Sequence, residues 1–433
     1  MSAFALVGGP LALVVAFSTP ASATTGVYFY PLEEFHTAGD QLNGVACPSG
    51  GPCAAVGSAA HGQNHTPLIL LQRHVYSSKY NVQVGWSFVE PALPTGGAAG
   101  PDDSLSSVSC NSPQQCFAVG EYDLAPGTLP LEYTGPSRGP WHVAAQPVSL
   151  PPDHDVAPVE AGLSAVSCNG SGFCLAVGNY WDNNGGVPEG MAVFLLGQSA
   201  QAFSVPPPRG APAGTSVTLN GVSCIKTGCV VVGEYTGSGD TQRGMAAIVY
   251  DKYVTGCAGE ACVQPPFSVP APTGSAGIST TLTGVSCVPG GTCLISGYDI
   301  NGSTDIATPM TSTMVRAQTK AGVAFHSLYQ VAPHETGTSQ LNSIWCTSST
   351  DCAAVGTYKD SAGDDPALLA DLVPAHGWLD AGYTSGYGVT VGSQLDLTSI
   401  ACWAKDDCAT VGFATAPNGT IFPIDAVSAA PPG

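Results

Sequence analysis

One phrase recurs seven times along the chain and limits what the chain can fold into. Its clearest copies read LSSVSCNSPQQCFAVGEY from Leu105, LSAVSCNGSGFCLAVGNY from Leu163 and LNGVSCIKTGCVVVGEY from Leu219. The first cysteines of the copies are Cys47, Cys110, Cys168, Cys224, Cys287, Cys346 and Cys402, at intervals of 63, 58, 56, 63, 59 and 56 residues. Their partners follow at Cys53, Cys116, Cys174, Cys229, Cys293, Cys352 and Cys408, so six copies read C-x5-C and the fourth reads C-x4-C. Self-similarity at a fixed period marks a repeat architecture, in which each unit buries its apolar faces only by stacking on its neighbours. Within a copy, Leu-x-x-Val/Ile-x-Cys and Cys-x3-Gly are short β-rich runs around a tight loop, which predicts a hairpin.

After each hairpin a Gly/Asp/Asn-rich loop leads to a third apolar run, as in TPLILLQ from Thr66, GMAVFLL from Gly190, GMAAIVY from Gly244 and DPALLADLV from Asp365. A fourth run often opens on an aromatic residue: WSFVEP from Trp86, WHVAAQP from Trp141, FSVPPP from Phe203 and FSVPAP from Phe267. A Pro/Gly-rich crossover then opens the next unit. Four short antiparallel strands per unit, seven units and no helical periodicity predict an all-β chain, a seven-bladed β-propeller with four-stranded antiparallel blades. The seventh unit ends after its third run, IFPIDAV from Ile421, whereas GVYFYPL from Gly26 stands spare ahead of the first hairpin. Val27 to Tyr30 are therefore expected to pair with Ile421 to Val427 and close the ring as the outer strand of the last blade.

Charge narrows the partners. Eleven Lys and Arg stand against 31 Asp and Glu, a formal net charge of -20. Such a field repels phosphate backbones and anionic lipid, so nucleic acid is not an expected partner. The abundance of Gly (54) and Pro (36) suits many strands joined by turns. At the N-terminus an apolar run from Ala3 to Phe17 precedes Ala21-Ser22-Ala23, a small-x-small cleavage pattern. Residues 1–23 read as a signal peptide and 24–433 as a single propeller domain, although no Lys or Arg precedes the apolar run. Gly8, Gly9 and Pro10 interrupt that run, and it falls short of the roughly 20 apolar residues of a spanning helix. The expected protein is secreted or displayed at the cell surface, monomeric, with no membrane span in its mature chain.

Sixteen cysteines, an even number, point to the same oxidising compartment. Eight local bridges are expected: seven within the hairpins and an eighth, Cys257–Cys262, in the turn between the third and fourth strands of the fourth unit. Zinc sites bring two Cys pairs around one ion, and pairs some 58 residues apart on separate blades do not meet that need. No metal-ligand set and no cofactor is expected.

The phrase V-S-C-x5-C-x-A-V-G, as it stands at Val108–Gly120 and Val166–Gly178, resembles the repeat of exported bacterial β-propeller proteins. A more distant similarity is to sialidase-like propellers. The resemblance implies the propeller fold over nearly all of the mature chain and leaves activity open, since propellers serve enzymes, lectins and scaffolds alike. The S-x-D-x-G-x-x-W box of sialidases is at most eroded in SRGPW from Ser137. The five arginines, Arg73, Arg138, Arg209, Arg243 and Arg316, recur at no common repeat position.

Propeller ligands commonly sit on the face formed by the strand 2–3 loops and the crossovers, opposite the hairpins; this placement is a fold analogy. Those loops carry PDDS from Pro101, HGQNH from His61, DINGSTD from Asp299 and KDSAGDD from Lys359. The crossovers bearing Asp153-His154-Asp155 and His334-Glu335 are candidate ligand contacts, able to converge only if both fold inward. The plainer reading is turn chemistry, in which Asp, Asn and Gly simply shape loops. Asp299-x-Asn301-Gly302-Ser303-x-Asp305 resembles a calcium loop loosely, without its terminal Glu. No G-x-S-x-G, H-E-x-x-H or Walker-type loop occurs, and no catalytic residue is assigned. The functional expectation is a noncatalytic binding or scaffold module directed at glycans or cell-envelope components. The alternative is a glycan-cleaving hydrolase of sialidase-like ancestry.

Overall fold

The computed structural model describes residues 15–16, 26–31 and, apart from connecting segments such as 155–159, 331–337 and 384–393, residues 39–429. Seven antiparallel sheets follow the seven sequence units, each a meander in chain order. The innermost strands are Gln41–Ala46, Ser104–Ser112, Ala161–Cys168, Val217–Ile225, Gly277–Cys287, Ser339–Ser348 and Gln394–Ala404, in blades 1 to 7. Each packs against the innermost strand of the next blade, and that of blade 7 packs against that of blade 1, so the ring is closed. The only helical element among the described residues is one 3-10 turn, Gly259–Cys262.

Blade 7 closes as the sequence predicts. Gly26–Pro31 pairs antiparallel with Ile421–Ala429, with Val27 opposite Ser428 and Tyr30 opposite Asp425. A two-residue strand, Val15–Ala16, flanks it and makes this sheet five-stranded, while the other six have four strands. Trp86, on the outer strand of blade 1, donates its indole N–H to Asp425 Oδ2 at 3.0 Å and ties the seam from the other side.

Strand alternation fills the spaces between blades. On the second strand of blade 3, Leu175 and Val177 face blade 4, while Cys174 and Ala176 face blade 2. Seven apolar clusters result, one between each pair of successive blades, including Leu42, Leu70 and Trp86 with Ala401 and Val411 at the blade 7–blade 1 seam. Buried on both faces, these strands read as nearly continuous apolar runs.

A β-bulge interrupts every innermost strand after its leucine. The pairing skips one residue at Asn43, Ser106, Ser164, Asn220, Thr283, Asn342 and Thr398. The repeat glycine of the second strand, from Gly57 in blade 1 to Gly412 in blade 7, lies against that site. A Cβ on any of the seven would come within 1.9–2.1 Å of the carbonyl oxygen of the residue before the leucine. Only glycine lets the backbones approach so closely.

The bulged residue reaches the next blade. Asn43 Nδ2 donates to Leu105 O at 2.9 Å, Asn220 Nδ2 to Leu282 O at 3.0 Å, and Asn342 Nδ2 to Leu397 O at 2.9 Å. The hydroxyls of Thr283 and Thr398 donate likewise to Leu341 O and Leu42 O, at 2.6 and 2.8 Å. A second row runs through the serine of V-S-C. Ser109, Ser167, Ser223 and Ser286 each accept, at 2.9–3.0 Å, the backbone N–H of the first hairpin cysteine in the following blade.

Disulfides act within blades. Eight bridges are present: Cys47–Cys53, Cys110–Cys116, Cys168–Cys174, Cys224–Cys229, Cys257–Cys262, Cys287–Cys293, Cys346–Cys352 and Cys402–Cys408. The seven hairpin bridges join adjacent strands with Cα atoms 3.9–4.1 Å apart. So dense a set of local bridges belongs to an extracellular, non-cytoplasmic protein. Among the described residues, no helix is long and apolar enough to cross a membrane.

Candidate functional sites

The face formed by crossovers and strand 2–3 loops is acidic, and most of its described polar groups hold loops in place. Asp102 and Asp103 point apart. Asp103 is fully buried and accepts Gly100 N–H at 3.1 Å and Asp123 N–H at 2.6 Å. Asp102 is exposed, and its N–H donates to Asp123 Oδ2 at 3.1 Å. Glu121, directly after the repeat glycine Gly120, presses against blade 3, where Gly162 has no Cβ to obstruct its carboxyl. Burial pushes Glu121 up to about 7, and the nearby charges of Asp102 and Asp123 push in the same direction. Glu234 holds the same repeat position in blade 4. Burial raises its pKa too, while the Thr281 hydroxyl of blade 5 hydrogen-bonds its carboxylate.

Asp153 and His154 sit at the entry to blade 3. The buried Tyr180 hydroxyl lies 2.9 Å from both Asp153 Oδ1 and Glu189 Oε2. Burial raises the pKa of the phenol, a hydrogen bond with Ser204 opposes it, and those two carboxyl groups add to the rise. His154 Nδ1 lies 2.7 Å from Pro151 O, within the same turn. Asp155, His334 and Glu335 lie outside the described residues. In blade 1, His61 Nε2, Thr66 Oγ1 and Glu90 Oε2 form an exposed cluster at 2.9–3.1 Å. The calcium-like segment in blade 5 is a turn: Asn301 Oδ1 accepts Ser303 N–H at 2.9 Å and its hydroxyl at 2.7 Å, and Asp299 accepts the Thr280 hydroxyl at 2.8 Å. Asp305 lies outside the described residues. Among the described residues, no group of three or more His, Cys, Asp or Glu side chains is placed to hold a metal ion.

The opposite, stapled face carries a cleft of roughly 370 Å3. One wall is the blade 1 hairpin tip, Pro48 to Pro52; Gln72 and Arg73 come from the third strand of that blade, Arg138 from blade 2 and Trp403 from blade 7. The tip is fixed from several sides. Cys47–Cys53 closes it, the buried Gln72 accepts Cys53 N–H through Oε1 at 2.8 Å, and Gly51 packs on Pro113 so tightly that a Cβ would lie 2.7 Å from that ring. The loop bearing Arg138 is anchored as well, since Ser137 donates its N–H and hydroxyl to Pro113 O at 2.9 and 3.2 Å. Both arginines are exposed, and Trp403 is 39% exposed. Sequence reading singles out neither the cleft nor Trp403, because its residues occupy non-equivalent repeat positions in three blades. The one available signal is scarcity: two of the five arginines meet here.

The class defined by these features is a disulfide-stapled seven-bladed β-propeller. No family model matches the chain, and no curated protein matches it. Solved structures of similar fold include a fungal alcohol oxidase of the AA5 family in complex with copper, with a TM-score of 0.51 and 10% identity, covering 94% of this chain and 76% of the oxidase. A protein from Dyadobacter fermentans gives 0.46 at 10% identity, over 75% of this chain and 93% of its own. The Hadza microbial sialidase Hz136 gives 0.45 at 8% identity, over 86% and 74%. At these identities the likeness is one of fold.

Proposed function

We propose that the protein is an exported module that recognises glycans of the cell envelope or its surroundings without cleaving them, and that the stapled-face cleft is its recognition site. The observation that carries this reading is the cleft itself: a rigid concavity presenting an exposed tryptophan and two arginines on an otherwise acidic molecule. Exposed aromatic rings with a few fixed polar groups suit the mixed apolar and hydroxylated surface of a sugar. Export rests on the apolar leader with Ala21-Ser22-Ala23 and on the disulfides. Intact-mass measurement of the secreted protein is expected to place its N-terminus near Thr24.

A glycan array run beside a panel of glycosidase substrates tests the function. Binding without turnover is expected, lost in Trp403→Ala and unchanged in His154→Ala and His334→Ala. Loss in the histidine variants instead would move the site to the crossover face. Turnover would favour the hydrolase reading, for which Glu121 is the supporting observation: a carboxyl held near 7 beside two further carboxylates suits a general acid. Glu121→Gln would then abolish turnover and leave binding intact.

A further inference from the structure

We propose that the stapled-face cleft selects acidic sugars, with Arg73 and Arg138 gripping the carboxylate of a uronic acid and Trp403 stacking on its pyranose ring. The inference rests on the recognition reading above and adds the chemical class of the ligand. Its foundation is a charge anomaly. The chain has nearly three acidic residues for every basic one, at 31 against 11, so a surface arginine has carboxylates in plentiful supply. Among the described residues, however, neither Arg73 nor Arg138 makes an ion pair or a side-chain hydrogen bond. Two guanidinium groups that line one cleft without a partner among the described residues repel each other and are stabilised by a bound anion.

Chemistry narrows the anion. Guanidinium groups are planar forks that match a carboxylate or a phosphate by paired hydrogen bonds. A polyphosphate or nucleic acid strand would meet the field of a molecule with net charge -20, whereas a single carboxylate on a neutral ring meets it with the smallest charge. The indole of Trp403 gives that ring a surface to lie on. Trp345, one residue before Cys346 on the innermost strand of blade 6, is a second exposed tryptophan, at 37%, outside the cleft lining. The cleft volume of roughly 370 Å3 falls at the lower end of small-ligand pockets, about 300–1,000 Å3, and suits one or two sugar rings. None of the three proposed contacts is needed to hold the tip, which the disulfide, Gln72 and Pro113 already fix.

Calorimetric titration of the purified protein with disaccharides differing only at C6, cellobiose and cellobiouronic acid, provides the test. The acid is expected to bind roughly tenfold or more tightly than the neutral sugar, with affinity falling as salt is raised. Arg73→Ala and Arg138→Ala are expected to erase that preference, and Trp403→Ala to weaken both sugars, with melting temperatures unchanged because all three side chains are exposed. Equal binding of the two sugars, or a preference that survives both arginine substitutions, would overturn the acidic-sugar inference while leaving glycan recognition in place. Competition by inorganic sulfate as strong as that of the acidic sugar would reduce the cleft to a plain anion site and also overturn it. Failure of both disaccharides together with an empty array would remove the recognition reading itself.

Discussion

At the scale of single residues, the repeat phrase is a set of hydrogen-bonding and steric instructions directed mostly at the neighbouring blade. Ser223→Ala removes the acceptor for Cys287 N–H and leaves that amide partly buried without its partner. A loss of about 1–3 kcal/mol in denaturant unfolding is expected, and no loss would mean that water substitutes for the hydroxyl. Gly178→Ala is a harsher change, because its Cβ would stand 2.0 Å from Gly162 O. It is expected to cost more than about 4 kcal/mol or prevent folding. Asp425 makes a prediction about pH. It is 1% exposed, Oδ1 has no hydrogen-bond partner among the described residues, and burial pushes its pKa from 3.8 to about 7, against smaller lowering effects of Trp86 and of its own backbone. Between those values the folded state holds a proton that the unfolded chain has lost, so stability falls as pH rises through the window and levels off above it. Asp425→Asn resembles the protonated acid. The variant is expected to match the parent near the bottom of the window and exceed it at about pH 8 by up to a few kcal/mol, at about 1.4 kcal/mol per pKa unit. Parallel stability curves would remove Asp425 from the account.

At the scale of elements, each disulfide secures one hairpin and the ring closure secures the whole set. Replacing Cys110 and Cys116 together by Ser is expected to cost about 2 kcal/mol on the loop-entropy model while leaving the other blades intact. A protein beginning at Thr37, without the closure strand, exposes the edge of Ile421–Ala429 and is expected to melt several degrees lower; an unchanged melting temperature would show the strand to be dispensable. The hairpins, the third strands and the closure were legible in the sequence because each rests on short-range pattern or on counting strands. The bulges were less so, although Leu-x-x-Val held a clue. Leu42 and Val45 are three apart yet both buried in one interface, which a regular strand of period two does not allow. The inter-blade role of the V-S-C serine was hidden, since a serine next to a cysteine does not reveal which chain segment will lie beside it.

For the whole molecule, proton binding has a consistent direction. Glu121, Glu132 and Asp425 are each pushed up to about 7 and Asp396 to about 6, burial being the main cause in all four. Acidification also lessens the self-repulsion of a chain with net charge -20. Thermal unfolding is therefore expected at higher temperature at about pH 5 than at about pH 8, and the reverse order would contradict the burial of these carboxyl groups. The cleft could not be read from the sequence at this scale because Arg73, Arg138 and Trp403 become neighbours only when the ring brings blades 1, 2 and 7 around together. The same ring has a consequence for manufacture. Because Gly26–Pro31 joins the last blade by pairing with Ile421–Ala429, a strand made near the start of the chain must wait for one made near its end. A chain broken off at any earlier blade leaves that leading strand without Ile421–Ala429, so a protease that cleaves unpaired extended segments would distinguish fragments from finished molecules.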